Sequence, residues 1–344
     1  MTSCATRFPA EWEPQDGVLL AWPHAESDWQ PILAEIGAVF IELTRQITRF
    51  ERVLIATPEP QSVREHLQHA GIDLDRVRIY HIPTDDTWCR DFGPLTVLSD
   101  GRPLLLDFSF NGWGGKFAAE RDNRVSTRLH ECGAFGSTPR ETIDLILEGG
   151  SLESDGRGTL LTTSACLLNP NRNPQLDKTR IEAALATHFG IRKMLWLDHG
   201  HLAGDDTDAH IDTLARLCPN DSILYVQCND PADEHYEELL KMEQQLRRLR
   251  NLVDEPFRLI PLPWPRACFD QEGQRLPATY ANYLVINGAV LVPTYADPAD
   301  AAALAAVAKA YPEREIIGVD CRPVIWQHGS LHCLSMQIPQ GVLP

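Results

Sequence analysis

The chain has 344 residues, of which 43% are hydrophobic, and it carries a formal net charge of −17. This length and apolar content are enough for a globular protein with a large core. The strong negative charge argues against binding to nucleic-acid phosphates or anionic membranes and favours small cationic ligands. Nine cysteines without a CxxC pair, with no secretory leader and no apolar run of membrane-spanning length, indicate reduced thiols in a cytoplasmic protein.

The first predicted elements are a strand, a helix and a second strand within residues 17–56. Residues 17–23 and 53–56 are apolar runs of strand length. Between them, apolar side chains recur every three or four positions from Pro31 to Phe50, which predicts an amphipathic helix with the proline in its first turn.

The same order of strand, helix and strand returns three more times. The predicted elements are residues 158–162, 177–188 and 194–197, then 222–226, 233–248 and 257–260, and finally 289–292, 298–310 and 316–319. Each of these units has one more strand in front, joined by a short polar turn that is typical of a hairpin. The leading strands are residues 148–154, 210–218 and 283–286, with turns at Asp155-Gly156, Pro219-Asn220 and Asn287-Gly288.

The remaining sequence suggests how the repeat closes. A further copy of the unit fits residues 91–147, where Ser99-Asp100-Gly101 predicts the hairpin turn. The first unit lacks a leading strand, whereas the last predicted strand, residues 330–338, has no unit. We therefore predict an α/β fold in which this strand completes the first unit and closes a ring of five ββαβ units, in a single domain spanning residues 1–344. A doubly wound sheet would instead need a glycine-rich phosphate loop opening a helix, and none occurs in that context.

Four short polar segments beside the predicted strands carry reactive side chains. They are Thr87–Asp91, Glu148–Gly150, His210–Asp212 and His332-Cys333. A thiolate attacks electron-poor carbon, an imidazole transfers protons, and carboxylates hold a planar cation. Because the leading strands would surround one axis, we expect Asp91, Glu148, His210, Asp212 and Cys333 to meet there. His210 and Asp212 would point to the same side of one strand. This combination suits covalent chemistry on a guanidinium group.

Several motifs in the same order along the chain resemble the agmatine deiminase family, which belongs to the guanidino-group-modifying superfamily with the five-bladed pentein fold. The motifs are Pro9–Pro14, Trp88–Pro94, Phe110–Gly115, Leu147–Ser151, Gly204–Asp212 and Gly329–Cys333. The resemblance implies hydrolysis of agmatine to N-carbamoylputrescine and ammonia without a metal or another cofactor, and it makes a homo-oligomer possible. Related members act on arginine, peptidyl-arginine or methylated arginines, so those substrates stay open.

The resemblance also implies roles for the reactive residues. Cys333 would attack the guanidinium carbon as a thiolate. His210 would protonate the departing ammonia and then activate the water that resolves the thiouronium intermediate. Asp91, Glu148 and Asp212 would hold the guanidinium nitrogens.

The part of the site that would bind the rest of the substrate is less defined. Trp88 and Trp113 could line the pocket around the aliphatic tether, or they could be plain core residues. Compared with plant-type members, the approach to His210 is one residue shorter and has Ala209 in place of glycine. The residues that could bind the primary amine of the substrate, or else cap a turn, are Asp205, Asp206 and Asp208.

Two other classes of protein fit parts of the pattern. A divalent-metal hydrolase would use the histidines and carboxylates that crowd one stretch, namely His199, His201, Asp205, Asp206, His210 and Asp212. This alternative leaves Cys333 and Glu148 without roles. A non-catalytic polyamine-binding protein could use the acidic cavity, but it would not need a thiol and an imidazole together.

Overall fold

The computed structural model describes residues 6–344, so the first five residues of the predicted domain lie outside the described part. Its strands, in chain order, are β1 (Thr6–Arg7), β2 (Gln15–Ala21), β3 (Arg52–Thr57), β4 (Val77–His81), β5 (Leu95–Ser99), β6 (Arg102–Ser109), β7 (Arg140–Ile146), β8 (Glu153–Ser154), β9 (Thr159–Thr163), β10 (Lys193–Leu197), β11 (Ala215–Cys218), β12 (Ser222–Val226), β13 (Arg258–Leu262), β14 (Cys268–Phe269), β15 (Arg275–Leu276), β16 (Leu284–Ile286), β17 (Ala289–Thr294), β18 (Glu315–Asp320) and β19 (Ser335–Pro339). Its helices are α1 (Leu33–Thr48), α2 (Pro60–His69), α3 (Cys89–Phe92), α4 (Gly112–Gly115), α5 (Val125–Glu131), α6 (Ser164–Leu167), α7 (Lys178–Phe189), α8 (Tyr236–Leu246), α9 (Asp300–Ala310) and α10 (Arg322–Ile325). Short 3-10 turns lie at Gln30–Ile32, Leu74–Arg76, Asp122–Arg124, Gly149–Ser151 and Ile211–Thr213.

Most strands form mixed sheets with the same internal order. The strand orders are β19-β2-β3-β4, β1-β5-β6-β7, β8-β9-β10, β11-β12-β13 and β16-β17-β18, and β14 pairs with β15 in a separate hairpin. In each of the five larger sheets the leading strand runs antiparallel to the middle strand, and the middle strand runs parallel to the next one. The predicted repeat of strand, strand, helix and strand is confirmed.

The two ends of the described chain meet in one sheet. Strand β19 pairs antiparallel with β2, with Ser335 opposite Leu20 and Gln337 opposite Val18. The predicted completion of the first unit by the last strand is therefore confirmed. This pairing also covers an edge of β2 that would otherwise be open to other chains.

The longest helix shows how the sequence pattern produces the core. Helix α1 begins at Leu33 rather than at Pro31, because residues 30–32 form a 3-10 turn that contains the proline. One face of α1 packs into the core through Ile36, Val39, Phe40, Leu43 and Ile47. Full burial of such side chains contributes about 1.5–3 kcal/mol each, so tertiary packing of this stripe stabilises the helix more than its intrinsic propensity does.

Some helix and turn boundaries differ from the predicted ones. Helix α7 begins after Asp177, which caps it by accepting a hydrogen bond from the Arg180 amide. Helices α8 and α9 are shorter than predicted. The turn between β11 and β12 has left-handed backbone at Asn220 and Asp221 (φ 58° and 49°), one residue beyond the predicted position.

Several elements are absent from the sequence-based prediction. Among them are α2, β4 and the hairpin of β14 and β15, whereas α5 is the helix of the unit predicted over residues 91–147. Helix α2 buries only Val63 and Leu67, so few apolar residues mark it as a helix in the sequence. The strands of the β14–β15 hairpin have two residues each, which is too short for an alternating pattern to show.

Three leading strands start later than predicted, which changes the local geometry of the reactive residues. Strands β8, β11 and β19 begin at residues 153, 215 and 335. The residues in front of β8 and β11 form 3-10 turns, and Asp91 lies in the single-turn helix α3. The prediction that His210 and Asp212 share one side of a strand is therefore wrong. The alternation of a strand, which would direct residues two apart to one face, does not apply to a 3-10 turn with about three residues per turn.

Among residues 6–344, every helix is too short or too polar to cross a membrane.

Candidate active site

The four polar segments meet at one buried point. Cys333 Sγ lies 3.8 Å from Asp212 Oδ2, and His210 Nδ1 lies 3.7 Å from Asp91 Oδ1. Gly150 sits between these groups. A Cβ atom at this position would lie 2.5 Å from His210 Nδ1 and 2.9 Å from Asp91 Oδ1, so only glycine permits the convergence.

The thiol of Cys333 is positioned by a residue that the sequence analysis did not select. Asn282 Nδ2 donates a hydrogen bond of 3.1 Å to Cys333 Sγ. The Asn282 Oδ1 atom accepts hydrogen bonds from the amides of His332 and Cys333, at 3.0 and 3.2 Å. The repeat could have indicated this residue. Asn282 lies just before the leading strand β16, at the position that Cys333 occupies before β19.

The electrostatic environment favours the protonated form of the Cys333 thiol. Burial raises the pKa of Cys333, and the carboxylates of Asp212 and Asp91 raise it further, to well above its usual range. A bound cation between these carboxylates would offset their charge and favour the thiolate.

The surroundings of His210 favour its protonated form. Burial opposes its charge, but Asp91, followed by Cys166 and the hydrogen-bonded Glu148, outweighs this effect and holds the pKa of His210 well above its usual value. Its Nε2 atom lies 3.1 Å from Glu148 Oε2. Among the described residues, His210 Nδ1 and Asp212 Oδ1 are buried without a hydrogen-bond partner. Two polar atoms are thus left for a ligand at the point of convergence.

Glu148 lies behind His210 and does not border the cavity described below. Arg172 Nε donates to both of its carboxylate oxygens, at 2.9 and 2.7 Å. Burial raises the pKa of Glu148, but the hydrogen bond and charge of His210, followed by Arg172, lower it below its usual value. Both carboxylate oxygens of Glu148 thus contact Arg172, and one of them also lies next to His210, while its contact with a guanidinium stays a prediction.

Asp212 is held from the opposite side. His332 Nδ1 lies 2.7 Å from Asp212 Oδ2, and His332 Nε2 lies 2.9 Å from Glu11 Oε2 and 3.0 Å from an Arg216 nitrogen. Arg216 also forms buried ion pairs with Glu11 and Glu153. Burial raises the pKa of Asp212, but His332 and His210 lower it overall, so this carboxylate is ionised.

A cavity of about 200 Å³ opens next to Cys333 and Asp91. Its acidic lining residues are Asp28, Asp86, Asp91, Asp205 and Asp206. Its aromatic lining residues are Trp88, Trp113 and Phe117, and the remaining ones are Thr207, Thr213, Gln327, His328, Gly329 and Cys333. The cavity thus combines carboxylates with flat apolar surfaces, as a cation with an aliphatic chain requires.

The two predicted tryptophans both border the cavity. Trp113 has left-handed backbone (φ 54°) within α4, and its Nε1 atom donates a hydrogen bond of 2.9 Å to Asp91 Oδ2. The ring of Trp113 meets Phe117 edge to face, with centroids 5.5 Å apart. Trp88 packs against Trp29 on its other side. A strained backbone at Trp113 is therefore held by the same carboxylate that approaches His210.

The three aspartates proposed for the far end of a substrate have different environments. Asp205 caps its own loop, since its carboxylate accepts from the Thr207 and Ala209 amides at 3.1 and 2.6 Å. Asp208 pairs with Lys116 and Arg172. Asp206 borders the cavity, and no described residue donates a hydrogen bond to its carboxylate.

The histidines and aspartates of the metal-hydrolase alternative do not form one cluster. Within residues 6–344, two groups have the spacing of metal ligands: Glu148, Cys166 and His210 form one, and Glu11, Glu153 and His332 form the other. Each group already contains a carboxylate paired with a buried arginine. His199 instead lies 3.1 Å from Glu238, at a partly exposed position.

Comparisons with known proteins identify the family of this chain. The model of the Porphyromonas-type peptidyl-arginine deiminase family matches residues 7–339. Agmatine deiminase from Stutzerimonas stutzeri (strain A1501) is 32% identical over 358 residues, covering 96% of this chain and 95% of that protein. A C. jejuni agmatine deiminase structure with substrate bound has a TM-score of 0.92 and 39% identity, covering 99% of this chain and 98% of that one. Agmatine deiminase of Enterococcus faecalis has a TM-score of 0.87 and 28% identity, covering 98% and 97%. The resemblance to agmatine deiminases is confirmed, and the chain belongs to the Porphyromonas-type peptidyl-arginine deiminase family.

Proposed function

We propose that this protein hydrolyses agmatine to N-carbamoylputrescine and ammonia. The names of its relatives support a hydrolase acting on guanidino C–N bonds. The observation that carries the substrate choice is the lining of the cavity, which contains five aspartates and no lysine or arginine. Burial raises the pKa of Asp86 to about 7 and also raises that of Asp91, and a bound cation would favour the ionised form of both. Agmatine has a positive charge at each end, whereas free arginine would bring a carboxylate into this anionic cavity.

The guanidinium group would bind at the point of convergence. Asp91 and the unpartnered Oδ1 atom of Asp212 offer acceptors that suit its planar array of donors. Binding there brings the guanidinium carbon next to Cys333 Sγ. The positive charge of the guanidinium lowers the pKa of the thiol, whose proton leaves to water, so the substrate itself promotes formation of the nucleophile.

The reaction then proceeds as a double displacement. The thiolate forms a C–S bond with the guanidinium carbon, and a C–N bond breaks as His210 gives its proton to the departing nitrogen, which leaves as ammonia. Neutral His210 next takes a proton from a water molecule, whose oxygen attacks the thiouronium carbon. The C–S bond breaks, the added hydroxyl group gives its proton to solvent as the ureido C=O forms, and sulfur keeps the bonding electron pair until it is protonated again.

Asp206 is our candidate for binding the primary amine of agmatine. Its carboxylate borders the cavity without a hydrogen-bond donor from the described residues. Trp88, Trp113 and Phe117 would contact the four methylene groups between the two charged ends. This assignment divides the site into a reacting end and an anchoring end.

We also propose that the five larger sheets surround one axis as the blades of a pentein. The support is that each leading strand is preceded by one residue of the site, namely Asp91, Glu148, His210, Asn282 and Cys333. A crystal structure in which these sheets do not share an axis would contradict this arrangement. A cytoplasmic setting is supported by the eight described cysteines, all of which are free.

The function is tested by measuring ammonia release from agmatine, free arginine and an arginine-containing peptide. We expect turnover of agmatine by the wild type, none by Cys333→Ala, and wild-type rates for Cys132→Ala, which removes an exposed thiol. Trapping of a covalent adduct by acid quench and mass spectrometry, on Cys333 alone, checks the intermediate. Turnover of only the peptide would overturn the substrate choice, and undiminished turnover by Cys333→Ala would overturn the mechanism.

A further inference from the structure

We propose that Arg172 is a positioning residue for this reaction, joining the Glu148–His210 pair to the loop that carries Asp206. The proposal rests on the proposed function. Arg172 was not among the residues selected from the sequence, and it does not border the cavity. It lies in the Asn-Arg-Asn segment between α6 and α7.

Every hydrogen-bonding nitrogen of the Arg172 guanidinium is engaged. Its Nε atom donates to both oxygens of Glu148, at 2.9 and 2.7 Å. One terminal nitrogen donates to Asp208 Oδ2 at 2.7 Å, and the other donates to the Thr207 carbonyl at 2.9 Å. The side chain is 1% exposed. A planar fork that satisfies acceptors on two different segments fixes the distance and the orientation between them.

The inner contact of Arg172 controls the charge next to His210. Glu148 is fully buried, and its neighbours are His210, Arg172 and the thiol of Cys166 at 3.6 Å. The other charged groups around His210 are Asp91 and Asp212. Removal of Arg172 would take one positive charge away from His210 and its three neighbouring carboxylates, Asp91, Glu148 and Asp212. Glu148 and His210 would both hold a proton more easily, and Glu148 would lose the fork that fixes its orientation toward the imidazole.

The outer contact fixes the loop of residues 205–209. Asp208 and Ala209 both have left-handed backbone (φ 66° and 64°), which non-glycine residues adopt only when neighbours hold them. Lys116 is a second cation on the same loop, since its Nζ atom donates to the Asp206 carbonyl at 2.6 Å and to Asp208 Oδ1 at 2.9 Å. Arg172 therefore contacts both the loop and Glu148, whereas Lys116 contacts only the loop.

This difference gives a matched pair of variants for the test. In Arg172→Met we expect kcat on agmatine to fall about tenfold or more, and both limbs of the kcat–pH profile to move to higher pH, by about one pH unit. The direction follows because removal of a neighbouring positive charge raises the pKa of every group that gains a proton. Arg172→Lys keeps the charge but loses the fork, so kcat should fall while the limbs move less. Lys116→Met should raise KM and leave both limbs in place.

Two outcomes would overturn the proposal. In the first, kcat falls in Arg172→Met but the limbs of its kcat–pH profile do not move, and Lys116→Met shows equal losses of kcat and of thermal unfolding temperature. That pattern would indicate a purely structural role for Arg172. The other is an unchanged kcat in Arg172→Met.

A second readout does not depend on turnover. In protein labelled with 13C at histidine, with the His210 signal assigned by its loss in His210→Gln, we expect this signal to titrate at higher pH in Arg172→Met than in wild type. If wild type released no ammonia from any guanidine, the proposed function would fail while this titration still tested Arg172. An unmoved titration would overturn the proposed role of Arg172 even in an active enzyme.

Discussion

Two buried ionic networks support the site from opposite sides, and they differ in how far they reach. Behind His210, the contacts run through Glu148 and Arg172 to Asp208, and end at partly exposed Lys116 beside the cavity. Behind Cys333, the contacts run from Asp212 through His332 to Glu11, Arg216 and Glu153, and stay in the interior. The first network reaches the loop that carries Asp206 at the cavity, whereas the second connects distant parts of the chain in the interior.

The network behind Cys333 depends on Arg216 more than the network behind His210 depends on Arg172. Besides its two carboxylates, Arg216 donates to the Ala281 and Tyr283 carbonyls, at 3.1 and 2.7 Å. Its guanidinium also lies over the Tyr283 ring, 4.4 Å from the centroid. These contacts join β11 to the segment before β16, so they are made between sheets rather than within one.

The largest effect that we expect follows from this difference. Arg216→Met would remove the arginine partner of two buried carboxylates, of which only Glu11 keeps a histidine partner, and should cost about 3–5 kcal/mol of unfolding free energy. Arg172→Met should cost less, about 2 kcal/mol, because Glu148 keeps His210 as a partner. Chemical denaturation of both variants checks the order, with Arg49→Met as control, since the Arg49–Glu315 pair is exposed. Equal losses for Arg172 and Arg216 would remove the distinction between the two networks.

The pH dependence of the unfolding free energy should distinguish the contribution of His210 from that of Asp212. The raised pKa of His210 contributes stability that is complete below its unfolded pKa of about 6.5 and is lost as the pH rises through the folded value. The lowered pKa of Asp212 contributes stability that is complete above about 3.9 and is lost as the pH falls. A tenfold difference in the acid dissociation constant between the folded and unfolded states corresponds to about 1.4 kcal/mol of stability.

Denaturation of two variants across pH measures these contributions. His210→Gln should lose the alkaline dependence and keep the acid one, and Asp212→Asn should do the reverse. An identical dependence of stability on pH in both variants would show that His210 and Asp212 titrate as one coupled group.

Substitution in the loop should affect binding rather than the chemical step. Asp206→Asn removes the carboxylate proposed for the primary amine and should raise KM for agmatine about tenfold, equivalent to ~1.4 kcal/mol, with kcat little changed. Asp16→Asn is a control outside the cavity. A fall in kcat with unchanged KM would place Asp206 in the chemistry instead of the anchoring end.

The smallest expected effect concerns Ala209, which has a φ of 64° and is buried. Ala209→Gly relieves a left-handed alanine but removes a packed methyl group, so the net change should be within about 0.5 kcal/mol. Ala306→Gly in helix α9, where the backbone is helical, should cost about 1 kcal/mol. Thermal unfolding of the two variants checks this contrast, and an equal cost at both positions would mean that the loop imposes no strain on Ala209.

The sequence alone determined the repeat and the reactive residues. Hairpin turns, apolar runs and helical stripes are local signals, so the order of the five sheets and the pairing of the last strand with the first unit followed from them. The residue types of Asp91, His210, Asp212 and Cys333 indicated guanidinium chemistry, and the structure brings them together. An element that the prediction lacked, α2, has few apolar residues to mark it because it buries only two side chains.

Only the tertiary structure decided which polar residues face the cavity and which support them. Asn282, Arg172 and Arg216 look like ordinary polar residues along the chain, because their partners lie on segments far away in sequence. Glu148 was predicted to hold the substrate, but its two oxygens face Arg172 and His210. Local sequence fixes backbone periodicity, whereas the pairing of buried charges depends on how separate sheets pack against one another.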